Sequence, residues 1–189
     1  MRSKRLDPEE RRQAFLDVGL EAFGNRSFDD VSVKEICETV GVSRRLFEHY
    51  FGSKKSFFLT VIRHALAGLD QRIRRPITDN PLEDLEPYLR ELFEFMLKHP
   101  QASLLVGGAT GVAEAQKLVD EFNNEATERM LSSLPERMRS TKVKAAIECW
   151  RGVNTKLLGR LLQSPDLTVE WAAAYSSAAL KFLVTEAAR

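Results

Sequence analysis

Between Ser32 and Phe51 the chain reads SVKEICETVGVSRRLFEHYF, two short helical patterns joined by a Gly-Val-Ser corner. Val33, Ile36, Cys37 and Val40 recur at steps of three and four, which draws one apolar stripe along a helix that the Ser32 hydroxyl can cap. Gly41 supplies the backbone freedom to stop that helix and turn, and Ser43 caps the next helix two residues later. On the second helix Phe47 and Phe51 fall four apart and face inward, while Arg44, Arg45, Glu48 and His49 take the opposite side. A short helix with an apolar back and a hydrogen-bonding front suits the major groove of DNA.

Arg44 and Arg45 open this helix, where positive charge opposes the helix dipole, so recognition explains their placement better than helix stability does. Each can grip a guanine bidentately or hold a phosphate, and the residues alone leave that choice open. Leu46 can touch a thymine methyl and Glu48 can accept from a cytosine amine. His49 and Tyr50 can reach base edges or backbone, and Lys54, in GSKK, is placed for a phosphate. A solvated charged face between packed helices is the competing reading of any one of these residues.

A formal net charge of +1 over 189 residues does not by itself announce a nucleic-acid binder. Between Gly41 and Arg63, however, five Lys or Arg stand against one acid, which concentrates a positive field at one place. The opening MRSKR adds basic charge, read first as a solvated terminus and second as an arm along DNA. No apolar run is long enough to span a bilayer and no hydrophobic core of a signal peptide follows the basic start, so a cytoplasmic protein with no membrane contact is expected. Cys37 and Cys149 are then two reduced thiols, and His49, His64 and His99 have no metal-ligand spacing with either, so neither a metal nor a cofactor is expected. The residues an enzyme would need, such as Cys149, His99, Glu148 and Asp120, are scattered without a recognisable spacing, so no enzymatic activity is expected.

From Arg12 to Ile62, RQAFLDVGLEAFGNRSFDDVSVKEICETVGVSRRLFEHYFGSKKSFFLTVI resembles the amino-terminal DNA-binding domain of the tetracycline-repressor (TetR) family of transcription regulators. Phe15, Leu16, Leu20 and Phe23 follow the apolar rhythm of that family's first helix, Phe28 is its usual aromatic, and Ser32-Val33 begins helix two. Ile36, Gly41-Val42-Ser43, Tyr50-Phe51 and Ser53-Lys54 complete the pattern in register. The resemblance implies DNA contacts from Ser32 and Ser43, from Arg44, Arg45, Leu46, Glu48, His49 and Tyr50, and from Lys54. Two residues depart from the pattern. Ser27 stands where glycine is frequent, which raises the question of its backbone angle, and Glu48 puts a carboxylate where an aromatic is common.

The remainder reads as helices with no strand-like alternation, so the expected fold is all-α with about nine helices. Asp7-Pro8-Glu9-Glu10 is a helix start, and that helix runs to about Gly24. Residues 1–53 form the expected helix-turn-helix domain and 54–189 the expected ligand-binding and dimerisation domain. Helix four, about 53–75 and stopped by Pro76, connects the two, and RRPITDNPLED marks a break in sequence. Leu85 to Met96 stripes another helix up to His99-Pro100, the glycines of QASLLVGGATG argue against a continuous helix there, and Ala115 to Met130 stripes the next.

Two long apolar bands close the chain. Trp150, Val153, Leu157 and Leu161 lie on one and Trp171, Tyr175, Ala178 and Phe182 on the other, more apolar surface than one small core requires. Two such pairs can close into a four-helix bundle about a two-fold axis, where TetR-like proteins form homodimers. The resemblance further implies a repressor that leaves a palindromic operator in double-stranded DNA when a small-molecule effector binds among the carboxy-terminal helices. Phe93, Met96, Phe122, Trp150 and Asn154 are the candidate lining, with plain core packing as the competing reading. The other functional reading is a helical DNA-binding or interaction protein with no inducer, in an architectural role.

Overall fold

The computed structural model describes residues 7–73, 81–107 and 111–189; the expectations placed on MRSKR, on Pro76 and on the middle of GGATG lie outside them. Among the described residues there are nine α-helices and no strand: α1 (Pro8–Asn25), α2 (Val33–Val40), α3 (Arg44–Phe51), α4 (Lys54–Ile73), α5 (Leu85–Lys98), α6 (Pro100–Gly107), α7 (Ala113–Ser133), α8 (Thr141–Leu161) and α9 (Val169–Ala187), with a 3-10 turn at Glu136–Met138. The fold is all-α. None of these helices is long and apolar enough to cross a membrane.

Capping residues set most of the boundaries. Asp7 accepts from the Glu9 and Glu10 amides while the Glu10 side chain returns to the Asp7 amide, a reciprocal cap that satisfies donors at the start of α1. Ser32, Ser43, Ser140 and Thr168 cap α2, α3, α8 and α9 through their hydroxyl oxygens. Pro100 opens α6 two residues after α5 ends, at a helix position where its missing N–H costs nothing.

By packing, the chain divides into two compact units: residues up to Gly68 with Gln101–Val119, and Leu69–Pro100 with Asp120–Arg189. The division expected at 53/54 follows role and stops at the end of α3. Packing draws its line within α4, after Gly68, and returns 101–119 to the first unit.

The first unit is built on phenylalanine. Phe15, Phe23, Phe47, Phe51, Phe57 and Phe58 are all buried, and Phe23 and Phe58 meet at 4.7 Å between ring centres. α1 and α4 approach closely at Gly19, where an added methyl would lie 2.6 Å from Val61 and 2.7 Å from Phe57. In the second unit α5, α8 and α9 enclose a core that includes Leu89, Phe93, Val143, Ile147, Trp150, Leu180 and Val184. The α9 face turned to it carries Ala172, Ala173, Ser176 and Ser177, small residues that let the helices sit close.

Candidate nucleic-acid interface

The corner of the helix-turn-helix forms as its residues dictate. Gly41 ends α2 in the left-handed region at φ 75°, ψ 39°, and its amide and that of Val42 return to carbonyls of α2. A second glycine, which the motif reading did not single out, ends α3. Gly52 has φ 73° and ψ −50°, and the Ser53 amide bonds back to the Phe51 carbonyl at 2.8 Å, a three-residue turn that suits only glycine. That turn sets the direction in which α4 leaves α3.

Behind α3 the rings of Phe47 and Phe51 are clamped by Phe15, with centres at 5.8 and 5.2 Å, and by Phe57, at 5.2 and 4.6 Å. Edge-to-face and tilted pairs of this kind add about 0.5–1.5 kcal/mol each beyond the area they bury, so the helix is fixed to α1 and α4 as one body. Its outer face carries Arg44, Arg45, Glu48 and His49, all exposed. A rigid helix presenting these groups can read an edge of DNA without spending its contacts on its own ordering.

The outer residues are not equivalent. The Arg44 Nε donates to Glu48 Oε1 at 2.9 Å, so one arginine is already partnered by the carboxylate that departs from the family pattern. Arg45 has no ion pair or hydrogen bond among the described residues and keeps its whole guanidinium for a ligand. His49 is exposed with its ring against Tyr50. Leu46 is half-buried, and its amide is capped by Ser43 at 3.3 Å. Tyr50 is also half-buried: its ring lies 6.0 Å from Phe15, and its hydroxyl donates to the Pro8 carbonyl at 3.4 Å. It braces α3 against the start of α1.

Ser32 accepts from the Lys34 amide at 3.2 Å and retains its hydroxyl hydrogen for an acceptor such as phosphate. Lys54, expected at a phosphate, turns back on the protein. Its ammonium sits 4.5 Å above the Phe28 ring centre and donates to the Asp29 carbonyl at 3.3 Å, which ties the start of α4 to the loop before α2. Ser27 answers the question raised by its missing glycine. No non-glycine residue among those described has a positive φ, and the Ser27 hydroxyl donates to Asp30 at 2.6 Å within an ordinary turn. Across the same loop Arg26 pairs with Glu35 at 3.0 Å, and this hydrogen bond holds the Glu35 carboxyl below its usual range.

In the second unit the candidate effector residues separate. Phe93 and Trp150 are buried in the core and Met96 packs against it, while Phe122 is partly buried on α7. The Trp150 indole donates to the Ser176 carbonyl and hydroxyl oxygens at 2.8 and 2.9 Å, and that hydroxyl in turn donates to Asn154 Oδ1 at 2.5 Å. Trp150 and Asn154 therefore close a polar seam between α8 and α9 that engages the indole N–H and Asn154 Oδ1. Sequence reading passed over Arg151, a partly buried guanidinium between these two residues, although a charge set beside an apolar stripe was visible.

The residues expected between two copies also divide. Trp150 and Leu157 are buried in the core of their own chain, and Val153 and Leu161 pack against that core. On α9, Trp171, Tyr175 and Phe182 are 46, 51 and 65 % exposed, Ala178 is exposed beside them, and the rings of Trp171 and Tyr175 stack at 5.2 Å. Helical periodicity could not tell these bands apart, since α8 spends its aromatic inward and α9 spends its aromatics outward.

The profile of "Bacterial regulatory proteins, tetR family" matches residues 15–61, the helices that hold this interface. The HTH-type transcriptional regulator BetI of Brucella anthropi is 29% identical over 137 residues, 71% of this chain and 66% of that protein, so the chain spans just under two thirds of this relative. A tetR-family transcriptional regulator from Streptomyces coelicolor has the same fold with a TM-score of 0.79 at 26% identity, over 97% of this chain and 84% of its own. FadR of Bacillus subtilis, solved in complex with stearoyl-CoA, matches with a TM-score of 0.70 at 13% identity over 92% of this chain and 98% of its own, a likeness of fold. With the helix-turn-helix in register and its caps and aromatic clamp in place, residues 15–61 match the tetR family of bacterial regulatory proteins, and the chain as a whole has the fold of TetR-family transcriptional regulators.

Proposed function

We propose that this protein is a sequence-specific, cytoplasmic DNA-binding regulator that represses transcription as a homodimer on a palindromic operator and is released by a small-molecule effector. The observation that carries the reading is the outer face of α3, where Arg45 stands unpaired and Arg44 half-neutralised on a helix whose two phenylalanines are clamped from behind by Phe15 and Phe57. Arg45 reads a base edge, for which guanine offers the matching pair of acceptors, and Arg44 with Glu48 forms a donor–acceptor unit beside it. Ser32 and Ser43 reach the backbone from the two helix starts.

The exposed aromatic face of α9 supports a symmetric pair, because one small helix rarely leaves three large rings in water without a partner. Two copies then present two α3 helices to successive major grooves, about 10 base pairs or a multiple of that apart. A neighbour of the same fold, FadR of Bacillus subtilis, was solved in complex with stearoyl-CoA, which supports a small-molecule effector for this protein. An effector releases DNA only to the extent that it binds the released form more tightly.

Footprinting of the DNA upstream of the protein's own gene tests this reading. Two protected half-sites related by a two-fold axis are expected. Uniform, sequence-independent protection would replace the local repressor with an architectural DNA-binding protein.

A further inference from the structure

Resting on the effector reading above, we propose that Arg151 is the anchor for the oxyanion head group, carboxylate or phosphate, of a small amphiphilic effector held in the second unit. Arg151 stands on α8 one turn from Ile147 and two turns from Val143, both buried, so its guanidinium occupies a stripe that is otherwise core. It is partly buried, and one of its amino groups donates to the Asn123 side-chain oxygen on α7. No carboxylate pairs with it among the described residues.

The other donors of Arg151 are not among the sealed-in polar atoms without a partner, so they open onto space that solvent or a ligand can enter. A guanidinium has five N–H donors in a planar fork, and a single neutral amide satisfies one of them. Withdrawal from water opposes its charge, the Tyr88 phenol on α5 lies near enough to favour it, and Arg129 on α7 opposes it further. Arg129 is itself balanced, by Asp70 at 3.1 Å and by Glu125 at 3.8 Å, so the positive charge left over belongs to Arg151. A carboxylate or phosphate fits this gap, since two parallel N–H···O bonds occupy the open side of the fork and Asn123 and Tyr88 supply further polar contacts. Tyr88, partly buried at the edge of that core and near the charge, offers its ring to an apolar body beside the head group. A cation in the same place would meet two arginines and is excluded by repulsion.

The test uses the full-length protein and four compounds of equal chain length: octanoate, octyl phosphate, octanol and octyltrimethylammonium. Melting temperature is followed for the wild type, Arg151→Met and Arg151→Lys. Octanoate or octyl phosphate should raise the melting temperature of the wild type, and whichever does so more identifies the head group. Octanol and octyltrimethylammonium should not raise it. Arg151→Met should weaken anion binding at least tenfold while melting no lower than the wild type without ligand, since it removes an uncompensated charge; Arg151→Lys, which keeps charge but loses the fork, should fall between. Equal anion binding by Arg151→Met, equal stabilisation by octanol, no binding by any of the four, or a large drop in the stability of Arg151→Met would each overturn the assignment. Should Arg151→Met fail to fold, Arg151 is structural and the assignment falls, with Arg151→Lys reporting whether charge alone is needed. An anion that binds through Arg151 without loosening DNA leaves this site standing and removes the effector reading. A neutral ligand that releases DNA irrespective of Arg151 does the reverse.

Discussion

Arg44 and Glu48 are joined on the outer face of α3 by an Nε–H···Oε1 hydrogen bond of 2.9 Å, so an acid set where phosphates would repel it has a partner one turn away. The pair is exposed, and such pairs contribute only about 0.3–0.5 kcal/mol to stability. Its consequence is for recognition: Glu48 limits the charge Arg44 offers to any passing phosphate and leaves Arg45 as the strongest free donor. Glu48→Gln should therefore strengthen binding to random-sequence DNA and steepen the salt dependence by roughly one counterion. Arg45→Ala should cost about 1–3 kcal/mol on the operator and little on random DNA. Fluorescence anisotropy titrations at several salt concentrations report both, and equal losses on the two DNAs would assign Arg45 to the backbone.

Gly52 adopts a turn closed to other residues, and α3 meets α4 through it. Gly52→Ala should destabilise the protein by about 1–3 kcal/mol, the usual cost of holding a side chain in such a conformation. Thermal unfolding measures the loss. A melting temperature equal to that of the wild type would show that the angle relaxes freely.

The face of Trp171, Tyr175 and Phe182 should be covered by a second copy. Phe182→Glu, at the most exposed ring, should shift the protein from dimer to monomer in sedimentation equilibrium and weaken operator binding by an order of magnitude or more, because one α3 then binds without its twin. A wild type that sediments as a monomer at micromolar concentration would remove the two-fold model.

The two cysteines should differ in reactivity. Cys37 is buried on α2, and that burial raises its thiol above the usual range, whereas Cys149 is exposed on α8. One thiol should react promptly with a thiol reagent at pH 8, and the second only with unfolding. The folded state holds the Cys37 proton at pH values where the unfolded state releases it, so this thiol subtracts stability as pH rises through the ordinary thiol range. Two fast thiols in the native protein would contradict the packing of α2.

The fold was legible because its punctuation is local. Asp7, Ser32, Gly41 and Ser43 mark helix ends by their own chemistry, and Phe47 and Phe51 declare the inner face of α3 by spacing alone. What escaped the sequence depends on neighbours distant along the chain. Lys54 bonds to Asp29 rather than extending to solvent, Tyr50 reaches Pro8, and Trp150 is claimed by Ser176. The apolar bands of α8 and α9 look alike in sequence, and only packing reveals that Trp150 fills a core while Trp171 remains outside.

Whether α3 reads sequence is decided by competition binding. Purified protein is titrated onto labelled DNA from its own upstream region in the presence of a scrambled duplex of equal length and composition, for wild type and Arg45→Ala. The wild type should prefer its own site by about a thousandfold or more, and Arg45→Ala should narrow that preference by roughly five- to 150-fold. Equal affinity for both duplexes, unchanged by Arg45→Ala, would contradict sequence reading by α3.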